Sequence, residues 1–180
     1  MLESGKNIPY FCPDKENKKI VVKYIGEYEC SLDNKSRVLI PARLMKQFPP
    51  EYREKFIVAR SIFQECLILF TLDAWEENLE EIMTLSQFSK DADDFTRKYL
   101  NGATEVELDN ANRILLPKKQ IEYAKIEKDI IITSNLTKLE IWSPVMHEKA
   151  LGSIDHNQFE NLAETLLGKK NKGGSNINLN

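Results

Sequence analysis

One stretch of 18 residues occurs twice in this chain, and that duplication restricts the fold more than any other feature. Gly26–Arg43, GEYECSLDNKSRVLIPAR, aligns with Gly102–Lys119, GATEVELDNANRILLPKK, at a constant offset of 76. Eight positions are identical: Gly26/Gly102, Glu29/Glu105, Leu32/Leu108, Asp33/Asp109, Asn34/Asn110, Arg37/Arg113, Leu39/Leu115 and Pro41/Pro117. About one match is expected from composition alone, so the two stretches are copies. A looser likeness continues through 56–60 against 129–133 and 66–75 against 138–147, where the offset has shrunk to 72 at Leu67/Leu139. Two units of about 48 residues therefore organise the chain.

Within each unit the residues alternate. Tyr28, Cys30 and Leu32 oppose Glu27, Glu29 and Ser31, and Thr104, Val106 and Leu108 oppose Ala103, Glu105 and Glu107, the period of a half-buried strand. DNKSR and DNANR are turn sequences, and the short strands VLI and ILL that follow end at Pro41 and Pro117. Because proline suits a helix start, 42–48 and 118–124 read as short helices, with further strands at 56–59, 66–70, 130–132 and 139–142. A β-β-α-β-β unit buries little by itself. The expected fold is α+β, mainly β: two tandem swapped-hairpin β-barrel modules packed about a pseudo-two-fold axis, a dimer built into one chain.

The remaining segments frame these units. Residues 1–24 form an extension expected to be flexible, containing Lys18, Lys19 and, just before the first unit, Lys23; it reads either as a basic arm or as the product of an upstream start codon. The first unit spans 27–74 and the second 103–146. Between them, at 75–102, Asp73 is the expected cap of a helix with Trp75, Leu79, Ile82 and Met83 on one stripe, and Phe88, Ala92, Phe95 and Tyr99 form a second stripe, giving an antiparallel helix pair. At 147–167, Phe159, Leu162, Ala163, Leu166 and Leu167 make a third stripe, and the polar 168–180 is expected to be disordered. These helices either cover their own chain or form contacts between subunits.

Composition narrows the chemistry. The longest apolar run, Cys66–Phe70, is five residues, far short of the roughly 20 that span a bilayer, so no membrane partner is expected, and the absence of a leader-like start points to the cytoplasm. Cys12, Cys30 and Cys66 have no metal-ligand spacing and are expected to be free thiols, with Cys30 a small core residue. His147 and His156 have no zinc-site context, and no nucleophile motif or phosphate loop is present; neither metal, cofactor, small-molecule substrate nor enzymatic activity is expected. Glu27, Glu29, Glu105 and Glu107 read as a solvated strand face.

Charge is distributed unevenly. The net charge is −3, yet Asp33–Lys46 has four cations against one anion and Asp109–Lys119 three against one, so the rest of the chain carries −8. Cations concentrated at the two turns suit phosphate. An arginine fork can also take guanine O6 and N7 together in the major groove. The candidate DNA-contacting residues are Arg37 and Arg113, with Lys35, Arg43, Lys118, Lys119, Asn34 and Asn110. An alternative stays open for the arginines: Asp33–Arg37 and Asp109–Arg113 as ion pairs that staple each turn.

With these residues laid out, the chain closely resembles the MraZ family of bacterial transcriptional regulators, with two SpoVT-AbrB-type swapped-hairpin modules. The resemblance covers roughly Ile25 to Trp142, through GEYECSLDNKSRVLIPARL, the linking FTRKYLNGATE, NGATEVELDNANRILLPKK and the closing LEIW. It implies a non-enzymatic, cytoplasmic, nucleoid-associated repressor that assembles into a ring and binds direct repeats in double-stranded promoter DNA of the division and cell-wall gene cluster, including its own gene. The resemblance places the family's DNA-contacting arginine on Arg37 and its repeat equivalent on Arg113. The family turn usually reads Asp-x-x-Gly-Arg, and here Ser36 and Asn112 replace the glycines, which leaves the turn shape open. The competing class is an oligomeric interaction scaffold without specific DNA binding.

Overall fold

The computed structural model describes residues 23–86 and 88–168, so most of the expected N-terminal extension (1–22) and of the polar tail (169–180) lies outside the described residues. The first unit contributes β1 (Glu27–Ser31), β2 (Arg37–Leu39), α1 (Ala42–Met45), β3 (Lys55–Arg60) and β4 (Leu67–Thr71). Two connecting helices follow, α2 (Leu72–Met83) and α3 (Lys90–Leu100). The second unit repeats the series with β5 (Thr104–Glu107), β6 (Arg113–Leu115), α4 (Lys118–Tyr123), β7 (Asp129–Asn135) and β8 (Lys138–Trp142), and α5 (Pro144–Leu151) and α6 (His156–Leu167) complete it.

The two units are interleaved rather than set side by side. Among the described residues, one antiparallel sheet has the order β1-β7-β8-β4-β3-β5, and β2 pairs with β6 in a separate two-stranded ribbon. The first strand of each unit therefore pairs with the third strand of the other. At the centre Leu67 faces Ile141 and Leu69 faces Leu139, so equivalent residues exchange places about an axis through Ile68 and Glu140. The ribbon has the same symmetry, with Arg37 opposite Leu115, Val38 opposite Ile114 and Leu39 opposite Arg113.

Among the described residues no closure of the expected barrels is detected. β1 and β5 are the edges of an open sheet, and each ribbon strand meets its own hairpin partner through a single bridge, Leu32–Val38 or Leu108–Ile114. Pairing of β2 with β6 occupies one edge of each three-residue strand, and the bridges on the other edge join the ribbon to the ends of β1 and β5 at one residue each.

Both faces of the sheet are covered. On one side Phe56, Val58, Leu67, Leu69, Ile130, Ile132, Leu139 and Ile141 pack with Val38 and Ile114 of the ribbon and with Leu44, Phe48, Leu116 and Ala124 beside it. Tyr24 joins this core and lies 4.9 Å from Phe48, ring centre to ring centre. On the other side Ile57, Ala59, Cys66, Ile68, Phe70 and Trp142 meet Trp75 and Leu79 of α2, Tyr99 of α3 and Met146 of α5. Thr71, not Asp73, caps α2 by accepting a hydrogen bond from the Ala74 N–H; Asp73 sits in the first turn, where its charge complements the helix dipole. The connecting helices thus cover their own chain near the sheet, while Met83 and Phe88 at the far end stay exposed.

Leu69→Ala, at the sheet centre and 2 % exposed, should cost about 2–5 kcal/mol. Leu39→Ala, on the outer face of the ribbon, should change stability by less than about 0.5 kcal/mol. Urea unfolding of both variants checks this contrast.

Candidate nucleic-acid interface

Each repeated turn is built around its aspartate. Asp33 Oδ1 accepts the backbone N–H groups of Lys35 at 2.8 Å and Arg37 at 3.0 Å, and Asp109 Oδ1 accepts those of Ala111 and Arg113 at the same distances. The backbone closes each loop with Ser36 N–H to Asp33 O and Asn112 N–H to Asp109 O, both at 2.9 Å. Closure this tight requires a left-handed residue before the arginine. Ser36 adopts φ 61° and Asn112 φ 57°, so both replacements keep the backbone that a glycine would take freely. Asparagine tolerates that region, whereas serine pays about 1 kcal/mol for it.

The other carboxylate oxygen of each aspartate holds arginine. Arg37 reaches Asp33 Oδ2 through Nε at 2.8 Å and Nη2 at 2.6 Å, and Arg113 reaches Asp109 Oδ2 through Nε at 2.9 Å and Nη2 at 2.8 Å. The pairs that could staple each turn are therefore present. Each arginine also extends across the pseudo-two-fold axis: Arg37 Nη1 lies 3.4 Å from Asp109 Oδ2, and Arg113 Nη1 lies 3.6 Å from Asp33 Oδ2. The register sets the two turns at opposite ends of the short ribbon, and their side chains meet across it in one four-member ionic ring. Hydrogen bonds from Arg37, helped by backbone N–H groups and its charge, hold the Asp33 carboxyl down at about 2, and Arg113 lowers Asp109 in the same way. The aspartates raise the Arg37 guanidinium further above its ordinary value.

The ring stays open to water, with 26 % of the Arg37 side chain and 32 % of the Arg113 side chain exposed. Asn34, Lys35 and Asn110 are exposed at the turns. Arg43, Lys118 and Lys119 are exposed on the short helices that follow the ribbon strands, with Lys118 3.9 Å from Glu122. The α4 backbone that carries Lys118 and Lys119 is anchored by Arg60, which donates to Gln120 Oε1 at 3.2 Å and to the Lys119 carbonyl at 3.4 Å and stacks 4.8 Å over the Tyr123 ring. Arg60 stands where the second unit has Thr133, so comparison of the copies did not mark it.

The other candidate groups are structural. Lys55 pairs with Glu105 at 2.7 Å and Glu107 at 3.3 Å. Buried His147 packs on Trp142, while His156 is exposed on a different helix. Burial pushes the Cys66 thiol up to about 12, which makes it a poor nucleophile. Among the described residues no group of histidine, cysteine and carboxylate side chains is arranged to hold a metal ion, and no helix is long and apolar enough to cross a membrane.

The two repeats are also matched in sequence by known proteins. The family model described as "MraZ protein, putative antitoxin-like" matches twice, over residues 24–98 and 99–170. The chain belongs to the MraZ family. MraZ proteins are transcriptional regulators, a family without enzymatic activity. The chain is 34 % identical to the transcriptional regulator MraZ of Christiangramia forsetii over 86 % of its own length and 99 % of that protein. It is 35 % identical to that of Flavobacterium psychrophilum (82 % and 93 %) and 42 % identical to that of Caldanaerobacter subterraneus (79 % and 95 %).

The lowered carboxyls set a pH dependence. Because the folded Asp33 value lies below the ordinary 3.8, its stabilisation is complete above the unfolded value and is lost as pH falls through it towards about 2. Thermal melts should therefore change little from pH 7 to about 5 through this group and fall below that, and Asp33→Asn combined with Asp109→Asn should flatten the acid limb. Ser36→Gly should raise stability by roughly 0.5–1 kcal/mol, more than Asn112→Gly, in denaturant unfolding.

Proposed function

We propose that this MraZ protein binds double-stranded DNA by placing the β2–β6 ribbon in the major groove, which is wide enough for a two-stranded ribbon. Arg37 and Arg113 take guanine O6 and N7, and Asn34, Asn110, Lys35, Arg43, Lys118 and Lys119 meet phosphates or base edges around them. The observation that carries this reading is the antiparallel pairing of β2 with β6, which sets both arginine side chains on one solvent-open face. The ionic ring is compatible with such contacts, because a guanidinium has five donors and Nη1 of each arginine is the most loosely held, at 3.4 or 3.6 Å. The carboxylates orient the forks before DNA arrives, so less side-chain freedom is lost on binding.

The finer reading is a cytoplasmic, nucleoid-associated repressor of its own promoter and of the division and cell-wall gene cluster, binding direct repeats as a ring. A ring suits the small size of the ribbon, since one ribbon makes few phosphate contacts and several linked ribbons on spaced repeats gain affinity through effective concentration. Phe159, Leu162 and Leu166 of α6, at 64, 43 and 68 % exposure, supply an apolar stripe for contacts between subunits.

Titration of a duplex from immediately upstream of the gene, in rising salt, tests the reading. The target duplex should bind more tightly than a scrambled one, and binding should fall steeply with salt. Arg37→Ala and Arg113→Ala should each weaken target binding roughly 5- to 150-fold. Arg37→Lys keeps the charge but not the fork and should lose preference for the target while still binding scrambled DNA. Binding that ignores salt and both arginines would favour the scaffold instead.

A further inference from the structure

The ribbon presents a second pair of residues beside its arginines. Val38 and Ile114 point into the core with no exposure, whereas Leu39 and Leu115 are each 55 % exposed on the outer face. The two repeats differ at the buried position, valine in one and isoleucine in the other, yet both keep leucine at the exposed one. Packing does not account for that pattern, because a side chain on the water-facing side contributes little to the core. A contact with a group outside the chain would account for it.

Register defines the contact. Leu115 lies opposite Arg37 and Leu39 opposite Arg113, with Val38 and Ile114 on the axis between the two pairs. Directly opposed residues in a two-stranded ribbon lie about 5 Å apart, so each arginine has a leucine at its side. A surface that alternates guanidinium and aliphatic groups matches the major-groove edge of DNA, where guanine offers two acceptors and thymine the C5-methyl group. A second copy of the ribbon fits less well. Apposing two copies would bring the exposed cations Lys35, Arg43 and Lys119 of each towards those of the other.

We propose that Leu39 and Leu115 are specificity-determining residues that pack on thymine C5-methyl groups, each reading a base pair next to the one taken by the facing arginine. The assignment rests on the DNA-binding reading given above. One chain then reads two short elements related by the ribbon's two-fold axis, each combining a guanine with a neighbouring thymine.

Deoxyuridine isolates the methyl group, because it differs from thymidine only in lacking it. Duplexes enriched from a random pool by the full chain are remade with deoxyuridine at one thymine at a time and titrated with the unaltered protein, Leu39→Ala and Leu115→Ala. The unaltered protein should bind about fourfold more weakly at one thymine or more for each leucine, the value of burying one methyl. Each alanine variant should bind the thymine duplex more weakly and no longer distinguish it from deoxyuridine at its own position. Unchanged melting temperatures would show that folding is not the cause. Enriched duplexes insensitive to every deoxyuridine replacement, or variants that discriminate as the unaltered protein does, would overturn the leucine assignment alone. Failure to enrich any duplex would overturn the DNA-binding reading and this inference with it.

Discussion

Asp33 and Asp109 each hold both arginines of the ribbon, their own at 2.6–2.9 Å and the other copy's at 3.4–3.6 Å, so the two repeats meet at a shared ionic ring. Each aspartate spends one oxygen on backbone N–H groups of its turn and the other on the guanidinium groups. Turn shape and arginine position are therefore set by the same carboxylate. The charge that binds the arginine also lowers the carboxyl, which keeps the ring ionised well into the acid range. The same requirement forces a left-handed residue just before the arginine, a conformation that Ser36 and Asn112 accept without being glycine.

The ring depends in turn on the exchange of strands. β1 pairs with β7 and β5 with β3, so neither repeat is complete without the other, and the ribbon is the second place where the copies meet. Val38 and Ile114 seal the ribbon to the main core while the residues beside them face water. The ribbon face is made by both repeats: its symmetry follows from the fold, and its differences, Lys35 against Ala111 and Ser36 against Asn112, follow from divergence of the copies.

Much of this was legible in the sequence because the sequence is repeated. Identities at a fixed offset located the hairpins, the turn aspartates and both arginines, and the strand periods gave the α+β class and the pseudo-two-fold. The within-turn pairs Asp33–Arg37 and Asp109–Arg113 were visible as a four-residue spacing, but the cross pairs join residues 72 and 80 positions apart and depend on tertiary placement. Strand count led to the expectation of closed barrels, but it does not reveal that the ribbon meets β1 and β5 through one bridge each, and no barrel closure is detected among the described residues. Thr71 displaced Asp73 as the cap of α2 because helix starts are set within a residue or two by competing polar side chains. Arg60 was missed for want of any local pattern linking it to Gln120 and Tyr123.

The central claim is that one ribbon presents two arginine forks to the major groove, and dimethyl sulfate protection of guanine N7 tests it most directly. Guanines in a bound duplex should be protected at N7, with Arg37→Ala releasing one subset and Arg113→Ala another. Guanine N7 atoms that stay fully reactive under saturating protein, with protection confined to adenine N3 in the minor groove, would contradict the account.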